Sequence, residues 1–165
     1  IDIYFAPVMQ DFRPQRLVHT QISIANPHVI LPQTHPLSGR IMISMRELDG
    51  ETFLLYPHTQ EPAIREFQIR NLEDSGIHYQ TYDSETPSQF YMLLVPVGKG
   101  IVLHPSHLMG LPPYSVSVPV TDLPHHASIS YFFSKTTSNP DVRAFCRDFT
   151  AFAKELSAHE HKQTL

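Results

Sequence analysis

Residues 53–67 read FLLYPHTQEPAIREF. A β-branched and aromatic run of strand type, Thr52 to Tyr56, halts at Pro57-His58-Thr59-Gln60, and a helix follows at once from Glu61 to Ser75. Pro62 suits that helix's first turn, and Gly76 suits its end. The first-turn N–H groups of Glu61, Ala63 and Ile64 have no intrahelical acceptor and project from the carboxyl end of the strand; Pro62 has no N–H. Two readings stand side by side. In one, Thr59 or Gln60 closes the turn by capping those donors. In the other, the donors form a small anion site in which the His58 imidazole, the Thr59 hydroxyl and the Gln60 amide orient a ligand.

Working outward, strands and helices alternate. "IDIYFA" (1–6) reads as a strand; "LVHTQISI" and "HVILP" read as one extended path interrupted near Asn26-Pro27. "SMREL" (45–49) is a short helix and "IHYQTY" (77–82) a strand. The apolar positions of the 61–75 helix, Ala63, Ile64, Phe67, Ile69 and Leu72, spread around the wheel and predict packing on more than one side. Thr86-Pro87-Ser88-Gln89 matches a capping box, and the run Phe90 to Val95 behind it predicts a buried helix ended by Pro96. Strands follow at 100–105, 114–120 and 127–133. A last helix opens at Asn139-Pro140, with Val142, Phe145, Phe149, Phe152 and Leu156 at steps of three and four. This alternation predicts an α/β fold with a largely parallel sheet and a ligand cleft beyond the carboxyl ends of its strands.

The 165 residues suit one globular domain, and 41% hydrophobic content supplies a core. Twelve basic against sixteen acidic side chains give a net charge of -4, and no Lys/Arg run exceeds two, so the chain lacks the electrostatic footprint of a nucleic-acid-binding surface. The single cysteine, Cys146, excludes an intrachain disulfide and fits a reducing, cytoplasmic compartment. No apolar stretch reaches the roughly 18 to 20 residues that span a bilayer, so no membrane partner is expected.

Eleven histidines invite a metal or catalytic hypothesis, which spacing argues against. His125 and His126 are adjacent and point to opposite faces if extended; His159 and His161 fall in a polar tail, 159–165. There is no HExxH, CxxC or G-x-S-x-G, and Cys146 lies mid-helix beside the apolar stripe, where a thiol is shielded. Gly98-Lys99-Gly100 is too short for a phosphate loop and reads as a tight turn. No catalytic residue, metal site or cofactor is expected, and the chain reads as a non-enzyme.

The ordered set "IDIYFAPV", "HVILPQTHPLSGR", "ISMRELDGETFLLYP", "LEDSGI", "LLVPVGKGIVLHPSHL" and "NPDVRAFCRDFTAFAKEL" resembles the effector-binding domain of LysR-type transcriptional regulators over roughly residues 1–156. The resemblance implies a fold like the type 2 periplasmic binding proteins: two α/β subdomains joined by crossover strands around a small-molecule effector. It assigns 1–25 and 119–158 to subdomain I and 26–118 to subdomain II, with crossovers near His28–Pro32 and Pro119–Tyr131. Two departures stand out. The family's helix-turn-helix has no counterpart here, so DNA binding is expected only through a segment outside this sequence. Subdomain I also lacks its usual first β-α-β-α stretch and reads as incomplete, which leaves the stripe of the 139–156 helix without its ordinary partner: the expectation is either an excerpt of a longer chain or an oligomer that covers the gap, and the resemblance implies a homodimer or homotetramer. A further departure, Pro96 before the glycine turn, predicts an early end to the preceding helix.

The family's effector commonly faces the loop matched by Pro57, His58, Thr59, Gln60 and Glu61, with Ser84 to Thr86 nearby. The expected function is therefore effector sensing in a transcriptional regulator, the effector being a small anionic metabolite. A periplasmic-type solute-binding protein of the same fold, a metal-using enzyme and an inert remnant are the rival readings.

Overall fold

The computed structural model describes residues 3–9, 11–83, 86–105 and 110–163, except the side chains of 24, 88, 89 and 153–163. Its elements in chain order are strands β1 Ile3–Met9, β2 Leu17–Ile24, β3 His28–Pro32, β4 Ile43–Ser44 and β5 Thr52–Leu55; helix α1 Pro62–Asp74; β6 Gln80–Asp83; helix α2 Ser88–Tyr91; β7 Val102–His104, β8 Ser115–Thr121 and β9 Ala127–Ser134; and helix α3 Pro140–Gln163. Short 3-10 turns cover Met45–Leu48 and Met92–Leu94. The chain divides into two compact units, residues 1–25 with 127–165, and residues 26–126. Residues 119–126, placed with subdomain I from the sequence, group with the second unit, because β8 pairs there with β3 and β4 along its whole length.

In the first unit β9 lies between β1 and β2 and runs antiparallel to both, so the expectation of a largely parallel sheet fails there. The register sets Phe5 opposite Tyr131 and His19 opposite Phe132, and the β2 pairing shifts between Gln21 and Ser23. Val142 and Cys146 of α3 are buried against Tyr131, flanked by Ile3, Ile22, Phe133 and Phe149. The Cys146 carbonyl accepts from Thr150 Oγ1 of its own helix at 2.6 Å and from the Tyr131 hydroxyl at 3.0 Å, and the latter bond fastens the second turn of the helix to the sheet. Phe145 and Phe152 stay 44% and 53% exposed, because three strands cover only one flank of the aromatic stripe. The helix runs on through His159 and His161 to Gln163, in place of the expected tail. Nothing between 141 and 163 breaks it: there is no glycine or proline, and Ala, Lys, Glu and Leu have good helical propensity.

The second unit is mixed. β3 runs antiparallel to β7 and β8, whereas β4–β8 and β5–β6 are parallel. A parallel bridge, Phe53 to Ile101, joins β5 to the start of β7, with the Leu54 amide donating to the Ile101 carbonyl at 2.8 Å and the Ile101 amide to the Thr52 carbonyl at 2.9 Å. Val29, Ile30, Leu31, Phe53, Leu54, Val102 and Leu103 are fully buried, as central strands covered on both faces require. At Gly100, with φ +155°, a Cβ would lie 2.5 Å from the Thr52 carbonyl oxygen, so only glycine permits this approach of the two chains.

Two expectations for this unit need correction. Helix α1 buries one face, formed by Ile64, Phe67, Gln68, Asn71 and Leu72, and not several sides. These positions follow the i, i+3, i+4, i+7, i+8 pattern, with polar residues filling two of the five places. The expected buried helix over 90–95 is instead one turn of α-helix, N-capped by Pro87 and not Thr86, that tightens into a 3-10 turn. Only Tyr91 and Val95 are buried there; Phe90 and Leu93 are 51% and 48% exposed. Proline at 96 denies a donor to the following turn, which fits the early ending.

Candidate functional site

The β5 strand ends inside the core, and what fixes its end is a pair of polar side chains from α1. Gln68, fully buried, donates from Nε2 to the Leu54 carbonyl and accepts at Oε1 from the Tyr56 amide, both at 2.9 Å. It acts as a substitute strand partner where the sheet has run out. Arg65 Nη1 donates to the Tyr56 carbonyl at 2.9 Å. The same guanidinium holds Asp83, at the end of β6, through two bonds of 2.9 and 2.6 Å. This bidentate pairing holds the Asp83 carboxyl below the usual carboxylate range and raises Arg65 further. The ends of two parallel strands are thus tied to one turn of α1.

Beneath the loop lies an aromatic floor. The Tyr56 and Tyr91 rings pack with centroids 4.6 Å apart, and His104 at the end of β7 lies 6.0 Å from Tyr56. The Tyr56 hydroxyl donates to the Met92 sulfur at 3.4 Å, while that of Tyr91 is buried and makes no hydrogen bond among the described residues. Burial pushes both phenols well above their ordinary range, with the Glu61 charge adding to the effect at Tyr56, so both remain neutral.

Above this floor the chain turns sharply. Tyr56 and Pro57 are buried, and His58, Thr59 and Gln60 are exposed. The Pro57 carbonyl accepts from the amides of Gln60 at 3.1 Å and Glu61 at 3.0 Å. The Glu61 amide, expected from the sequence to be open, is therefore occupied within the turn, which the Pro57 carbonyl shapes. The Glu61 side chain does not cap the helix. The amides of Ala63 and Ile64 meet no acceptor among the described residues, so two N–H groups remain at the positive end of a 13-residue helix. The site as folded therefore combines exposed His58, Thr59 and Gln60 with two open amides. Ser84 lies outside the described residues.

Sequence reading missed Arg65, Gln68, Asp83 and Tyr91. Gln68 and Asn71 were legible in one respect: counting them as members of the buried stripe restores the regular helical spacing that the apolar residues alone do not show. Three histidines each meet a single carboxylate: His35 with Glu51 at 3.0 Å, His78 with Asp49 at 3.3 Å and His125 with Asp74 at 2.5 Å. Among the described residues no three His, Cys, Asp or Glu side chains converge as a metal site would require. Burial pushes the Cys146 thiol up, away from the reactive thiolate. No helix among the described residues is long and apolar enough to cross a membrane.

Comparison with known proteins adds an independent line. The chain is 29% identical over 107 residues to the HTH-type transcriptional regulator CatR of Pseudomonas putida, covering 64% of this chain and 36% of the relative. It spans about a third of the length of the curated relatives it matches. Its fold is that of the effector-binding domain of QuiR in complex with shikimate, with TM-score 0.73, 16% identity and coverage of 93% of this chain and 72% of that one. The BenM effector-binding domain with its effector benzoate superposes with TM-score 0.70 and 18% identity over 98% of this chain and 71% of that one. These are type 2 periplasmic-binding-like folds, as the sequence reading expected. The order of strands and helices, the turn leading into α1 and a match over residues 3–153 agree: the chain belongs to the LysR substrate binding domain family.

Proposed function

We propose that this chain senses a small anionic metabolite, a carboxylate, for a LysR-type transcriptional regulator, and that the effector docks on the turn between β5 and α1. The open amides of Ala63 and Ile64 carry the reading, because a helix N-terminus with unpaired donors favours negative charge. His58, Thr59 and Gln60 stand exposed beside them and supply side-chain contacts that select among anions. Benzoate and shikimate, bound by the effector domains of BenM and QuiR, are both carboxylates, which fits this preference. Binding favours one arrangement of the sensory domain, and the size of the shift equals the ligand's differential affinity for the two states. In the whole regulator the shift would reach DNA through a helix-turn-helix segment and through paired sensory domains, as a cytoplasmic homodimer or homotetramer.

Titration calorimetry tests the charge preference with benzoate and shikimate against their neutral amide analogues. The carboxylates should bind more tightly, and His58→Ala or Thr59→Ala should weaken them by about five- to tenfold, the worth of one hydrogen bond. Equal affinity for acid and amide would remove the anion site from consideration.

A further inference from the structure

Strands β3 and β7 each carry a histidine at the same level, because the register sets His28 directly opposite His104. Opposite residues of an antiparallel pair project from one face, with Cβ atoms about 4.5–5.5 Å apart, so the two imidazoles are neighbours. The next positions on that face, Ile30 and Val102, lie in the buried cluster with Tyr56 and Tyr91, and the Tyr56 and His104 ring centroids are 6.0 Å apart. Both histidines are enclosed, His28 being 9% and His104 5% exposed. Two groups that can each become a cation near neutral pH are thus set side by side in the interior of the second unit.

The Asn26 carbonyl can only accept, so His28 Nδ1 donates to it, at 2.9 Å. The neutral ring then has its lone pair on Nε2, and a proton gained there leaves the Asn26 bond intact. A second proton on the facing ring would set two like charges against each other away from water, which limits the pair to one. On the far side of His28 stands Pro119 of β8, which does not titrate. On the other side are Tyr56 from the end of β5 and Tyr91 from α2, both neutral phenols. The charges that reach those phenols are Glu61, acting on Tyr56, and the Arg65–Asp83 pair, acting on Tyr91. His58, on the docking turn itself, is exposed.

We propose that His28 and His104 form a proton-sharing pair, and that docking of a carboxylate on the turn between β5 and α1 draws one proton onto it. Ile64, whose amide is one of the open donors, packs in the same cluster as Tyr56, and Tyr56 adjoins His104. A negative charge brought to that turn favours the charged imidazole, and by reciprocity a protonated pair favours the anion. The sensor then reads carboxylate and acidity together. This coupling rests on the function proposed above; the sharing of a single proton does not.

Calorimetry of benzoate binding near neutral pH, in two buffers of different ionisation enthalpy, counts the protons taken up. The parent should take up at least about half a proton per benzoate, and its affinity should fall about fivefold between roughly pH 6 and 7.5. Replacing both rings, His28→Gln with His104→Gln, should abolish the uptake. His58→Gln should bind more weakly yet take up the proton as the parent does. Binding by the parent without uptake, or uptake lost in His58→Gln, overturns the coupling. If benzoate does not bind, the docking reading fails and the pair is decided without ligand. Imidazole nitrogen spectra of the parent, from about pH 8 down to about pH 5, should show a single proton gained by the two rings together. Both rings charged at the acid end, or both still neutral, overturn the pair.

Discussion

Helix α3 displays aromatic residues at steps of three and four, yet leaves two of them, Phe145 and Phe152, about half exposed. Helix α1 displays no such stripe, yet buries an unbroken face in which Gln68 and Asn71 stand among Ile64, Phe67 and Leu72. The first helix to catch the eye in the sequence is fastened in its first two turns, by Val142, Cys146 and the bonds to the Cys146 carbonyl. The less conspicuous one ties together β5, β6 and the segment ahead of β9. Apolar periodicity reports what a helix would bury given a partner; here the polar residues inside a buried face report what the helix organises.

The largest way to sharpen this contrast is to remove the same ring from each helix. Phe67→Ala on α1 should cost about 3–5 kcal/mol, seen as a lower denaturant midpoint, because the ring is fully enclosed. Next in size, Gln68→Leu keeps the volume but orphans the Leu54 carbonyl and the Tyr56 amide, with an expected loss of about 2–4 kcal/mol in the same measurement. If that variant proved as stable as the parent, the polar half of the α1 face would be packing and nothing more.

A smaller effect follows pH. Asp83 is held below its ordinary range by Arg65, so the pair stabilises the fold above the unfolded carboxyl value of about 3.9 and loses that contribution as pH falls through the lower folded value. Because Asp83 is mostly exposed, the contribution is at most about 1 kcal/mol. Denaturation series from neutral pH into the acid range should show a shallower loss in Arg65→Gln than in the parent over that window. The smallest expected change is Phe152→Ala on α3, within about 0.5 kcal/mol. A loss near that of Phe67→Ala would mean that the exposed stripe is covered in solution by another copy of the chain.

Much of this molecule is legible in its sequence, and the gaps have physical causes. β2, β3, β5, α1 and the start of α3 follow from strong local signals: β-branched runs, a proline in the first helical turn, and Gly76, whose φ of +72° ends α1 as expected. The Phe90–Val95 stretch misled because an unbroken apolar run does not reveal which residues the tertiary structure covers, and only Tyr91 and Val95 found partners. The antiparallel sheet of the first unit was hidden because pairing of β9 with β1 and β2 joins segments more than a hundred residues apart. At the loop, proline and the following helix disclosed open donors, but not that the Pro57 carbonyl would claim two of the nearby amides. Arg65 and Asp83 meet across 18 residues, a relation that no local pattern encodes.

The narrow approach at Gly100 bears on how this fold can vary. The junction between β5 and β7 rests on one bridge and two backbone bonds, and the space beside it excludes even a methyl group. Alanine there would pry open the seam through which the sheet half bearing α1 adheres to the half bearing β3 and β8. This one vacancy of side-chain atoms is the gauge that keeps both halves in step.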